Sequence, residues 1–249
     1  YVIAGHSNSP GISSGNTDIY LIKIDQKGNL IWQKGHGNPA FPNHEWAYDI
    51  IQLPDEGFLA VGSRNRYSQG SKNGLVLRTD KEGKLLWEKE FLEEGQMEET
   101  IYSILNTNNG NYYICSTANS LAEPGVYQPK IAKMDMEGNI DWQRSFAANG
   151  KSYHRFSAAE TEKGDIVLVG SSGRQVATGY DEDAFMVRID DKGNIIWSYA
   201  YGTYDNDDWG WSVFETAQNN LVFVGSTKSF GASLFDIYLV GTNAEGISQ

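Results

Sequence analysis

The residues best suited to binding or chemistry in this sequence are rings and cations set in polar stretches. They are His44; Arg64, Arg66 and Tyr67; Tyr153, His154 and Arg155; and Tyr204 with Trp209. Aromatic faces stack on sugars or peptides, while arginine and asparagine side chains bond hydroxyls and amides, so the mixture suits a glycan or peptide ligand. The plainer reading of any single member is that it caps the end of a strand. Asp205, Asp207 and Asp208 could supply oxygen ligands to Ca2+, but they lack the glycine-punctuated spacing of a calcium loop, so solvated charge is preferred. His6, His36, His44 and His154 form no i, i+4 pair of the kind that builds a local zinc or iron site. No nucleophile elbow, phosphate loop or Cys–His signature is present, so no catalytic residue is assigned; an active site would have to be assembled from separate segments.

The elements that hold these residues follow from composition and repetition. Lys and Arg number 20 against 32 Asp and Glu, giving a net charge of −12. That balance works against nucleic acid and anionic membrane surfaces as partners. No apolar stretch reaches the roughly 18 residues of a membrane-spanning helix, so direct membrane insertion is not expected. Cys115 is the single cysteine, which excludes an intrachain disulfide. Tyr1 already lies in an apolar run, as in a processed or trimmed chain.

Trp32, Trp87, Trp142 and Trp197 are each 55 residues apart, as are Asp25, Asp80, Asp135 and Asp190. The shared motif is Asp-x-x-Gly-x-x-x-Trp, with a degenerate fifth copy at Asn243 to Gly246. A second landmark, an apolar run ending in a small residue, recurs at Gly5, Gly62, Cys115, Gly170 and Gly225. Short apolar runs rich in Val, Ile, Tyr, Phe and Trp, bounded by turn residues, read as strands, four to a repeat. Asp at the first and Gly at the fourth turn position suit a type I turn followed by positive φ. The recurring tryptophan reads as packing between adjacent sheets. Lys23, Arg78, Lys133 and Arg188 each precede the turn Asp by two, which reads as a cation neutralising its own turn carboxylate.

A repeat of this kind hides its sheet edges by radial packing, so the expected fold is an all-β propeller of four-stranded antiparallel blades. It is expected to form one domain over residues 1–249, with blades near 1–36, 45–91, 98–146, 153–200 and 208–249. The first blade lacks its opening strand and the last its closing strand. Either these ends meet, or flanking sequence completes them and more than five blades are present. Strand alternation places all the long loops, and the candidate residues above, on one face.

The copy Asp-Ile-Tyr-Leu-Ile-Lys-Ile-Asp-Gln-Lys-Gly-Asn-Leu-Ile-Trp, residues 18–32, resembles the secreted β-propeller repeat proteins of Bacteroidetes-type bacteria. The resemblance implies an exported or lipid-anchored protein of the cell surface or periplasm, and it brings no catalytic residues. The turn is also similar to the tryptophan-docking motif of quinoprotein propellers and to the Asp box of sialidases. Its spacing departs from both, so neither activity transfers. The expected function is therefore a non-catalytic module that presents its long-loop face to a protein or glycan at the cell surface. Alternatives are a carbohydrate-active hydrolase or lyase with its site at the channel mouth, and a scaffold subunit of a surface assembly.

Overall fold

The computed structural model describes residues 1–13, 16–37, 43–66, 71–92, 96–120, 125–146, 153–176, 179–203, 206–231 and 234–248. All regular elements among them are β-strands. The first sheet holds β1 (Val2–Ser7), β2 (Asp18–Ile24) and β3 (Leu30–His36) in that order. β4 (His44–Gln52), β5 (Phe58–Arg66), β6 (Ser71–Thr79) and β7 (Leu85–Phe91) follow as an antiparallel meander. β8 (Gln96–Asn106), β9 (Tyr112–Ser120), β10 (Tyr127–Met134) and β11 (Ile140–Ser145) repeat the order, and one parallel pair, Lys72 with Glu98, ties β6 to β8. β12 (Tyr153–Glu160), β13 (Ile166–Val176), β14 (Gly179–Ile189) and β15 (Ile195–Tyr201) form a four-stranded sheet. β16 (Asp208–Glu215), β17 (Leu221–Thr227) and β18 (Asp236–Thr242) form the last, of three strands.

The chain divides into two compact units, Tyr1–Ile104 with Ala118–Ala122, and Leu105–Thr117 with Glu123–Gln249. In the first, Ile19 and Leu21 of β2 pack on Ala47, Ala60, Leu75 and Leu77 of β4, β5 and β6. In the second, one core gathers Cys115, Ile131, Phe156, Leu168 and Val187, and another Val169, Met186, Val213 and Phe223. The strands outrun their apolar stretches. β13 and β14 stay paired out to Val176 opposite Gly179, so the ladder runs well past the apolar stretches of both strands. Backbone pairing needs no apolar side chain at a hairpin's tip.

The repeated turn is built as its residues predict. Gly28 N–H donates to the Asp25 carbonyl at 3.1 Å, and Gly28 has φ +84°. Asp25 Oδ1 accepts the backbone N–H groups of Lys27 and Asn29, each at 2.8 Å, and Oδ2 accepts the Asn29 amide. The Asn29 side-chain bond is the largest influence holding the Asp25 carboxyl below its usual range, followed by the Asn29 backbone bond. Asn243 accepts the same two backbone N–H groups, from Glu245 and Ile247, with a neutral amide oxygen. The turn therefore needs an acceptor oxygen rather than a charge. Asp25→Asn keeps the acceptor for the two backbone N–H groups but turns an amide toward the Asn29 amide, so it is expected to lower Tm less than Asp25→Ala, which lowers it by about 2–4 °C by leaving two backbone donors unmet. A thermal melt of both variants checks this.

The cations two residues upstream do not neutralise these carboxylates, which corrects the reading from spacing. Arg78 donates to Asp55 at 2.6 Å and Arg188 pairs with Asp165 at 2.8 Å, both in the other tight turn of the repeat. Lys133 lies 3.8 Å from Asp141, and Lys23 sits over the Phe58 ring at 5.3 Å. The turn aspartates already have their own N–H donors, so Arg78, Lys133 and Arg188 serve other carboxylates and Lys23 an aromatic ring.

Each described tryptophan dock joins one sheet to the turn of the next. Trp32, Trp142 and Trp197 occupy the space where a Cβ on Gly83, Gly193 or Gly246 would stand, at 2.8, 2.7 and 2.9 Å. Trp32 Nε1 donates to the Lys81 carbonyl and Trp197 Nε1 to that of Ala244. Gly193 is thus required both by φ +80° and by the indole against it. Gly193→Ala is expected to cost about 1–3 kcal/mol in urea unfolding.

Candidate active site

The small residue that recurs at the end of each second strand has a steric cause. A Cβ on Gly62 would stand 1.7 Å from the Trp46 carbonyl oxygen, on Gly225 1.7 Å from that of Trp209, and on Gly170 2.2 Å from that of Arg155. The first strand of the sheet bulges here and drives a carbonyl into the glycine's vacant side. β4 slips register between Ala47 and Asp49, β16 between Gly210 and Ser212, and β12 between His154 and Ser157. Around Gly5, in the sheet with no strand before β1, nothing lies within 4 Å of that position. A bulge re-aims the unpaired residue. Here it turns out Tyr48 and Trp211, and it holds Arg155 at φ +43°, a rare conformation for a non-glycine residue.

In the second unit these features converge on a cavity of about 300 Å3 lined by Arg155, Ser171, Glu182, Trp209, Gly210 and Trp211. The Arg155 guanidinium lies over the Trp211 ring at 5.4 Å, and Trp211 is 43% exposed. Trp209 stands edge-on to Trp211 at 6.0 Å and donates its Nε1–H to Glu182. Trp211 Nε1–H donates to Ser226 Oγ at 3.2 Å. On its far side Trp209 stacks on Phe235 at 4.4 Å, with Lys228 above that ring. Next to Trp209 in the chain, buried Asp208 accepts hydrogen bonds from Thr227, Ser229 and the Thr203 backbone. Burial, then the charges of Asp208 and Asp183, push the Tyr238 phenol up to about 12. The cavity thus offers one exposed planar cation, two fixed indoles and one carboxylate.

Of the residues singled out in the sequence, Arg155 and Trp209 line this cavity. Tyr153 and His154 open β12 opposite Ser172 and Ser171, with side chains outside the described set. Tyr67, Tyr204 and Asp205 lie outside the described residues. Asp207 pairs with Lys228 at 2.6 Å and Asp208 turns inward, and among the described residues no three His, Cys, Asp or Glu side chains gather as a metal set.

His44, Arg64 and Arg66 belong to the first unit. His44 stacks on Trp46 at 5.9 Å. Arg64 is buried and donates to Glu45 at 2.8 Å, Glu88 at 2.8 Å and Glu90 at 2.7 Å. Arg66 and Asn73 complete the shell around Glu90. Burial opposes the Arg64 charge, but the bonds to Glu88 and Glu90 outweigh it and raise its pKa. This is an internal ion-pair network with its guanidinium donors occupied, not a presented ligand site.

Sequence reasoning missed Trp211 and Ser171. One signal for Trp211 was available: an aromatic residue, Tyr48, Tyr102, Phe156 or Trp211, stands five residues before each turn-opening Leu53, Thr107, Thr161 and Thr216.

Meandering antiparallel sheets of this kind occur in several solved structures. A protein of unknown function from Dyadobacter fermentans aligns with TM-score 0.65 and 14% identity over 98% of this chain and 76% of that one. The endo-arabinase of Bacteroides thetaiotaomicron aligns with TM-score 0.56 and 13% identity over 97% and 89%. The α-L-arabinanase of Penicillium chrysogenum, complexed with arabinobiose, aligns with TM-score 0.58 and 8% identity over 96% and 77%. Such low identities show a shared fold alone. Curated protein sequences gave no match. The arylsulfotransferase (ASST) family matches residues 67–205, more than half of the chain, and the chain belongs to that family. Membership corrects the expectation of a non-catalytic binding module: the family is named for an enzyme activity. The lining of the cavity is drawn from four strands, so no local sequence motif marks it.

Proposed function

We propose that the chain is a propeller of about five blades that transfers a sulfuryl group from an aryl sulfate to a phenol, at the cavity of Arg155, Trp209 and Trp211. The single observation that carries this reading is the union, in one cavity of a member of this family, of an exposed guanidinium, indole rings and a carboxylate. An aryl ring packs on the exposed indole of Trp211, and the guanidinium fork of Arg155 bonds two sulfate oxygens. On transfer, the bond from sulfur to the donor's aryl oxygen breaks and a bond from sulfur to the acceptor oxygen forms. The acceptor proton passes to the Glu182 carboxylate, and the donor leaves as a phenolate. The repeat resemblance supports export to the cell surface or periplasm.

The second reading is a carbohydrate-active hydrolase or lyase, favoured by the fold shared with two arabinan-degrading enzymes and by indoles that suit sugar faces. Glycoside hydrolysis generally uses two carboxyl groups roughly 5–9.5 Å apart across the scissile bond. The described lining of the cavity holds one, Glu182. The two readings part in one assay: 4-nitrophenyl sulfate with and without phenol, beside arabinan. Nitrophenolate release that depends on phenol supports sulfuryl transfer. Reducing sugar from arabinan with no such release would replace it with the hydrolase.

A further inference from the structure

In the first unit, the carboxylate of Glu45 is only half satisfied. Its side chain is 1% exposed, Oε1 accepts from Arg64 at 2.8 Å, and Oε2 receives no hydrogen bond. Asp18, also buried, stands beside it, because the Glu45 N–H donates to the Thr17 carbonyl at 2.7 Å. Burial first, then the like charges of Asp18 and Glu88, hold the Glu45 carboxyl above its usual range against the pull of Arg64. Four carboxylates, those of Asp18, Glu45, Glu88 and Glu90, thus share two guanidinium groups, Arg64 and Arg66. A buried carboxylate with an unmet oxygen is costly unless a cation or a donor reaches it.

Other copies of the repeat meet the same demand differently. At intervals of 55 residues Asp18 becomes Asn73, Gln128 and Asp183, while Gly37 becomes Leu92, Ala147 and Gly202, so glycine holds the second place only where aspartate holds the first. The cause is steric: a Cβ on Gly37 would overlap the Asp18 carboxylate, and one on Gly202 those of Asp183 and Asp208. Asp208 pairs across its sheet with Thr227 as Glu45 pairs with Arg64. There the oxygens of Asp208 take neutral donors, from Thr227, Ser229 and the Thr203 backbone. Glu45 has Arg64 in place of that threonine, and Arg64 serves Oε1 alone.

We infer that Asp18 and Glu45 bind one Ca2+ ion, which takes the Asp18 carboxylate and Glu45 Oε2 as ligands and ties β2 to β4. The donors are hard carboxylate oxygens, which suit Ca2+, and water completes the shell. A divalent charge balances the excess of carboxylates over guanidinium groups. With two carboxylate ligands the dissociation constant is expected on the order of 10⁻⁴–10⁻³ M. The bound ion keeps Glu45 ionised, whereas without it burial holds the carboxyl up.

The test titrates the chelator-treated chain with Ca2+ and follows amide exchange and the heat of binding. Saturable 1:1 binding is expected, with exchange slowed at residues 17–19 and 44–46. Asp18→Asn and Glu45→Gln should each weaken binding at least about tenfold while circular dichroism stays that of the wild type. Absence of slowed exchange in the wild type, the same protection from Na+ at equal ionic strength, or affinity unchanged in both variants overturns the inference. Should a variant fail to fold, the wild-type exchange pattern with Ca2+ and with Na+ decides alone.

Discussion

Arg155→Ala is expected to lower kcat/KM for sulfuryl transfer from 4-nitrophenyl sulfate by about 10²–10³ with Tm unchanged, the size seen when one preorganised donor to a developing charge is removed. Arg155 is exposed, lies over Trp211 and pairs with no carboxylate among the described residues, so its loss leaves no buried charge uncompensated. Arg155→Lys keeps the charge but loses the planar fork and the stacking, and should recover only a part of the rate. Trp211→Ala removes the ring platform and should raise KM more than it lowers kcat. Rates within a factor of two of wild type in both Arg155 variants would remove the cavity from the reaction.

The largest effect on stability is expected at Arg64. Arg64→Ala strips the shared cation from Glu45, Glu88 and Glu90, leaving Arg66 on Glu90 alone. Breaking a buried ion pair from one side costs about 3–5 kcal/mol, because the remaining charge is stranded. Urea unfolding should show that loss, and Arg64→Met combined with Glu45→Gln should recover part of it. A loss below about 1 kcal/mol would mean the carboxylates are already relieved by solvent.

The same network sets a pH dependence. Burial raises the Glu45 pKa above its ordinary 4.5, and Arg64 offsets this only in part. Its favourable contribution is therefore complete below 4.5 and is lost as pH rises through the elevated value. For Glu90 burial acts upward too, but the bonds from Arg66, Arg64 and Asn73 prevail and lower the pKa, so its contribution is lost as pH falls. Glu45→Gln removes the first dependence alone. Its stability relative to wild type should improve between pH 4 and pH 7 in urea titrations, and a flat or falling difference would contradict the assignment.

The frame of the molecule was legible because its parts repeat. Asp25 and its counterparts mark a turn through bonds made within five residues, and the tryptophans mark docks through a spacing of 55. The small residues at Gly62, Gly170 and Gly225 were visible as a pattern, but their cause, a bulged carbonyl, belongs to another strand. Long-range pairing misled the reading of cations. Arg64 beside Arg66 and Tyr67 looks like a ligand surface until Glu45, Glu88 and Glu90, 19, 24 and 26 residues away, are brought onto it. The cavity was half legible. Arg155 and Trp209 stand out by type, whereas Trp211 is aimed by a register slip, and Glu182 is fixed by an indole 27 residues away.

The most direct measurement is the mass-spectrometric yield of phenyl sulfate from 4-nitrophenyl sulfate and phenol, with wild type and Arg155→Ala side by side. Phenyl sulfate formed by the wild type and reduced at least a hundredfold in the folded variant is the predicted result. Equal yields from both proteins, or none from either while arabinan is cleaved, would contradict it.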